Sequence, residues 1–69
     1  MTSIAQVIKD KRRDNNLTQI ELAQKSGVGL RLIREIEQGK ISMRVDKVNQ
    51  VLALFGMELL PAPQIRNND

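Results

Sequence analysis

Residues 17–39 read LTQIELAQKSGVGLRLIREIEQG, and the local chemistry of this stretch predicts two short helices joined by a tight turn. Thr18 and Glu21 form a T-x-x-E capping box, in which the threonine hydroxyl accepts from an early helical N–H and the glutamate carboxylate reaches back to the cap. Leu17 and Leu22 flank the box as a hydrophobic staple. Ala23 is small where a second helix must cross closely, and Gly27 supplies the left-handed backbone that ends a helix at little cost. Val28 then points inward and Gly29 starts the next helix. Ile33 and Ile36 carry its buried face at spacing i, i+3, and Gly39 ends it.

Before this stretch, Ile4, Val7 and Ile8 mark one apolar face from about Ser3 to Asn15, with Lys9, Asp10, Lys11, Arg13 and Asp14 largely on the other, which predicts a first helix. Asn15 and Asn16 end it, since asparagine tolerates the left-handed conformation. Arg12 lies one turn beyond Ile8 and so faces the packed side. After the stretch, Lys40 to Met43 form a short loop. A further helix is expected from Arg44 or Val45 to Phe55, with Val45, Val48, Leu52 and Phe55 at helical spacing and Asp46 in the first turn, where it suits the helix dipole. Val51 and Leu54 widen its apolar stripe, and Gly56 closes it with Met57 folding back onto Leu52. The chain thus divides into a helical unit over 3–56, an extended segment over 57–61 whose continuation Pro61 and Pro63 bar from a helix, and a tail over 62–69 expected to be disordered.

At 69 residues the chain is one small domain whose single core is marginal, so oligomerisation is the expected remedy. One aromatic residue, no cysteine and no histidine exclude disulfides, the usual zinc sites, thiol nucleophiles and imidazole bases. Ser3, Ser26 and Ser42 have no activating partner in the sequence, so neither an enzyme nor a cofactor is expected. A net charge of +3 and a pI near 9.8 favour a polyanionic partner, although an ordinary soluble protein can carry the same excess. Distribution says more: ten of the eleven basic residues but only six of the eight acidic ones precede Gly56. No run reads as a signal peptide or membrane span, and the expected location is cytoplasmic, on the nucleoid when bound to DNA.

Gln19, Ala23, Gly27, Ile33 and Ile36 fall in one register, and in that register the segment resembles the helix-turn-helix of the Cro/C1-repressor (XRE) family. The resemblance implies an all-α fold of four to five helices whose second motif helix enters the major groove of double-stranded DNA. The side chains on its outward face near the N-terminus are Leu30, Arg31, Arg34 and Glu35. Arg31 can bond guanine O6 and N7, Arg34 can do the same or sit on phosphate, and Leu30 can pack on a thymine methyl. Glu35 can accept from cytosine or pair with a neighbouring arginine. Phosphate contacts are expected from Gln19, which matches a phosphate-binding glutamine of the family, and from Gln38, Lys40, Ser42 and Arg44 around the following loop. Lys25 and Arg13 add long-range attraction or merely solvated charge. A matching arginine in the family pairs with a glutamate late in the recognition helix; Arg12 and Glu37 stand at those places, and two core-facing charges need each other.

The longer run GVGLRLIREIEQGKISMRVDKVNQVLALFGMELLP resembles the antitoxins of HipA–HipB-type toxin–antitoxin systems, with a likeness extending from about Ile4 to Pro61. That resemblance implies a homodimer that represses its own operon at a palindromic operator and holds a HipA-like serine/threonine kinase toxin. It also implies a short C-terminal β-strand pairing across the dimer, for which Met57 to Leu60 fits. Some members carry a C-terminal extension longer than the residues after Pro61. Val51, Leu54, Met57, Leu59 and Leu60 are the expected dimer residues. Three classes therefore stand: a DNA-binding antitoxin, a stand-alone phage-type or metabolic repressor, and a protein-interaction module on the same scaffold. The last fits poorly with Arg31, Arg34, Lys40 and Arg44 on one face.

Overall fold

The computed structural model describes residues 3–40 and 44–61. It holds four helices among these residues: α1 (Ile4–Asp14), α2 (Gln19–Ser26), α3 (Leu30–Glu37) and α4 (Val45–Ala53). Helix α3 is central, packing on both α1 and α2, while α4 closes the far side of α2. Ile8, Leu22, Ile33, Ile36, Val48 and Val51 are fully buried where the helices meet.

Local chemistry fixes the helix ends. The Ser3 hydroxyl caps α1 by accepting from the Gln6 N–H at 3.1 Å. Asn16 ends it at φ 57, with its own N–H donating to Arg13 O and that of Leu17 to Arg12 O. At α2 the capping box is complete: the Glu21 N–H donates to the Thr18 hydroxyl at 3.0 Å, and the Thr18 N–H donates to Glu21 Oε1 at 2.9 Å. The Thr18 N–H, then its side chain, holds the Glu21 carboxyl below the ordinary glutamate value, so the cap is charged at neutral pH. Met57 N–H to Leu52 O and Gly56 N–H to Ala53 O close α4. This turn leaves the helix two residues shorter than the expected end at Phe55.

Gly27 makes the sharp corner between α2 and α3. Its φ of 78° lies in the left-handed region, and a Cβ added there would meet the Gln50 amide at 3.1 Å, the same amide that donates to Ser26 O at 2.9 Å. Gly27→Ala is therefore expected to cost about 1–2 kcal/mol, from backbone strain and a displaced Gln50. Urea denaturation would detect it as a lower midpoint at unchanged slope.

One expectation needs correction here. Val51 is not surface apolar area awaiting a partner: it is 0% exposed, packed in the core of its own chain. The apolar stripe of α4 is rotated so that Val48, Val51 and Leu52 face inward, while Val45 and Leu54 stay exposed. Met57 to Leu60, expected as a strand that pairs across a dimer, is not in a strand among the described residues of the single chain. No edge among the described residues offers it a ladder; instead the Leu59 N–H donates to Asn49 Oδ1 at 2.8 Å, pinning the segment beside α4. Ser42 and the tail 62–69 lie outside the described residues.

Candidate nucleic-acid interface

Glu37 is the one buried charged residue among the described residues, and the site is built on it. Arg12 Nε donates to Glu37 Oε2 at 2.7 Å and Arg12 Nη2 to Glu37 Oε1 at 3.0 Å, a two-pronged pair whose side chains are 13% and 3% exposed. The third guanidinium nitrogen, Nη1, donates to Leu17 O at 2.9 Å, and Gln19 Nε2 donates to Glu37 Oε1 at 3.2 Å. One cluster thereby ties the end of α1, the start of α2 and the end of α3. Among the described residues no buried side-chain polar atom lacks a partner. Such a cluster fixes α3 against α2, which is what a helix that must enter a groove at a set angle requires.

With Ile33, Ile36 and Glu37 turned inward, the opposite stripe of α3 carries Arg31, Arg34, Glu35 and Gln38 at spacing i, i+3, i+4, i+7. Arg31 projects almost wholly into solvent, its side chain 95% exposed, and donates through Nε to Glu35 Oε1 at 3.2 Å. Of the two roles open to Glu35, pairing with a neighbouring arginine is the one present in the free chain. Arg34 and Gln38 are exposed, and Lys40 follows on the turn that closes α3, where its N–H donates to Glu35 O at 3.1 Å. Arg44 leads into α4 and donates through Nη2 to Asp46 Oδ2 at 2.8 Å, both side chains exposed. Partial loss of hydration opposes ionisation of Asp46, but the Arg44 guanidinium and the Lys47 N–H outweigh it and hold the carboxyl below its ordinary value.

Three residues sit differently from what their spacing suggests. Leu30 is half-buried against the core, so only part of its side chain is available to a base. Gln19 is half-buried with its amide turned to Glu37, which leaves the N–H groups of the first turn of α2 as the freer donors at that end. Ile20 was passed over altogether. It is 53% exposed beside Leu30, and its only signal in the sequence is an apolar side chain set among Gln19, Glu21 and Gln24.

Among the described residues the other exposed large apolar side chains are Val45 at the start of α4, 61% exposed, and Leu54, Met57 and Leu60 at its end and beyond, 40%, 37% and 72% exposed. Leu59 is half-buried against the core. Among the described residues no helix is long and apolar enough to cross a membrane.

A helix-turn-helix family model matches residues 8–60, from the middle of α1 through α4 to the segment after it. A Sinorhizobium fredii (strain NBRC 101917 / NGR234) protein bearing the name uncharacterized HTH-type transcriptional regulator y4mF is 41% identical over 56 residues, spanning 81% of this chain and 74% of the relative. No solved structure matches the chain. With the glycine turn, the two helices it joins and the flanking α1 and α4 all inside the matched span, the chain belongs to the XRE-type helix-turn-helix family.

Proposed function

We propose that this chain is a sequence-specific DNA-binding transcriptional repressor, working as a homodimer on a palindromic operator. The observation that carries the reading is the outward stripe of α3: an almost wholly exposed Arg31 and an exposed Arg34, on a helix whose inner face is locked to α1 and α2 through Glu37. An exposed arginine held only by a surface ion pair exchanges that pair cheaply, because water already screens it. Guanine O6 and N7 then offer a bidentate acceptor that the carboxylate of Glu35 can complement by accepting from a neighbouring cytosine. Gln38, Lys40 and Arg44 flank this stripe as phosphate contacts, with Ser42 proposed for the loop between them, and the first turn of α2 with Gln19 serves the opposite flank. The relative's name supports the regulatory class and no more.

The narrower reading is that the chain is the antitoxin of a HipA–HipB-like operon, repressing its own promoter and neutralising a HipA-like serine/threonine kinase. It is supported by the run from Gly27 to Pro61, which places a partly exposed segment shortly after α4. Dimerisation is assigned to Leu54, Met57, Leu59 and Leu60, with Met57 to Leu60 pairing antiparallel with its copy. A stand-alone repressor would bind DNA identically but have no kinase partner. Duplex selection from a random pool tests the DNA reading, and co-purification from the native host separates the two repressor classes: a stoichiometric kinase supports the antitoxin, and its absence with operator binding intact supports the stand-alone regulator.

A further inference from the structure

Between α2 and the first turn of α3 lies an open groove of about 420 Å³, lined by Ile20, Ala23, Val28, Gly29 and Leu30 together with Gln24 and Gly27. Its apolar character is out of place. Ile20 is more than half exposed on a helix whose other outward residues are polar, and Leu30 turns one side of its chain to the core and the other to this groove. Gly29 contributes no side chain, and nothing lies within 4 Å of where its Cβ would stand, so the floor between Ile20 and Leu30 is open to an incoming group.

The groove is too open to cover a free small molecule, which binding pockets normally enclose over most of its surface. A flat, large partner laid across both helix starts covers it completely. Arg31 is the next residue after Leu30 and is almost wholly exposed on the same helix turn, so the groove lies beside the stripe proposed to read bases. In the major groove the one apolar feature that a duplex presents is the C5 methyl of thymine, beside the acceptor O4.

We infer that Ile20, with Leu30 and across the gap at Gly29, forms a seat for a thymine methyl, making Ile20 a specificity-determining residue. The inference rests on the DNA-binding reading above and adds a base identity to it. The thymine lies next to the base pair read by Arg31, because Leu30 and Arg31 are consecutive. Burying one methyl against these side chains corresponds to about a four-fold gain in affinity per half-site, or about sixteen-fold over a symmetric pair.

The experiment uses the full chain and a duplex selected from a random pool, remade with uracil in place of thymine one position at a time. Uracil keeps every hydrogen-bonding group and lacks only the methyl. One thymine per half-site is expected to lose about four-fold on replacement, and Ile20→Ala, which alters both protomers at once, is expected to weaken the unmodified duplex by about sixteen-fold while no longer distinguishing uracil from thymine. Ile20→Val, which keeps a branched apolar side chain, retains the discrimination. Circular dichroism melting confirms that both variants are folded, as expected for a half-exposed position. A selected duplex with no uracil-sensitive position overturns the inference and leaves DNA binding standing, as does sensitivity unchanged in Ile20→Ala. Failure to select any duplex overturns the DNA reading and the inference together.

Discussion

Removing either half of the Arg12–Glu37 pair is expected to cost about 3–5 kcal/mol of folding stability, whether by Arg12→Ala or by Glu37→Ala. Each change strands a charge that the fold holds away from water: Glu37 is 3% exposed at its side chain and accepts from Arg12 twice and from Gln19 once. Removing Arg12 also orphans Leu17 O, the acceptor at the α1–α2 corner. A chain of this length commands only roughly 3–10 kcal/mol in total, so a single truncation takes a large share of it. Replacing both residues with apolar ones of similar volume, Arg12→Met with Glu37→Leu, is expected to be nearly neutral, because the desolvation of two charges disappears along with their attraction. A double-mutant cycle in urea should then give a coupling of several kcal/mol, and a coupling near zero would contradict the pair's role as the clamp on α3.

Deleting the chain from Met57 onward is expected to yield a monomer that has lost its preference for a palindrome over a single half-site. Leu54, Met57 and Leu60 are exposed apolar side chains at the end of α4 and beyond, and the segment after α4 has backbone donors and acceptors that no strand among the described residues engages. Asn49 anchors that segment at Leu59, and Leu60 beside it is exposed. Two copies pairing there would set their recognition helices about 34 Å apart, one turn of the duplex. Because truncation also removes the Met57 N–H that closes α4 and the Leu59 contact with the core, the point variant Leu60→Glu serves as a second test. It keeps both features and should still dissociate the dimer in analytical ultracentrifugation. A truncated chain that sediments as a dimer would transfer the interface to the remaining surface of α4.

Much of this was legible because it depends on short-range rules. The capping box at Thr18 and Glu21, the left-handed Asn16 and Gly27, and the start of α4 at Val45, one of the two expected positions, each follow from residues within one turn of each other. Facing was harder. Helical spacing puts Val45, Val48, Val51, Leu52 and Leu54 on one broad stripe, and only the position of α2 decides that Val48, Val51 and Leu52 are covered while Val45 and Leu54 are not. Interactions across the fold were the least visible: the turn of Gln19 toward Glu37, eighteen residues away, and the bond from Leu59 to Asn49 require the packed helices to be in place. Ile20 escaped notice because a single apolar residue on a polar face carries no period.

The central claim, that the outward stripe of α3 reads bases while its flanks hold phosphate, is tested most directly by salt titration of Arg31→Ala and Lys40→Ala against the selected operator and an unrelated duplex. Fluorescence anisotropy suffices. Arg31→Ala is expected to lose about 1–3 kcal/mol on the operator and far less on the unrelated duplex. Lys40→Ala should weaken both about equally and make the slope of log affinity against log salt shallower by about one. If the two variants lose the same affinity on both duplexes with the same change in slope, α3 does not read sequence through Arg31.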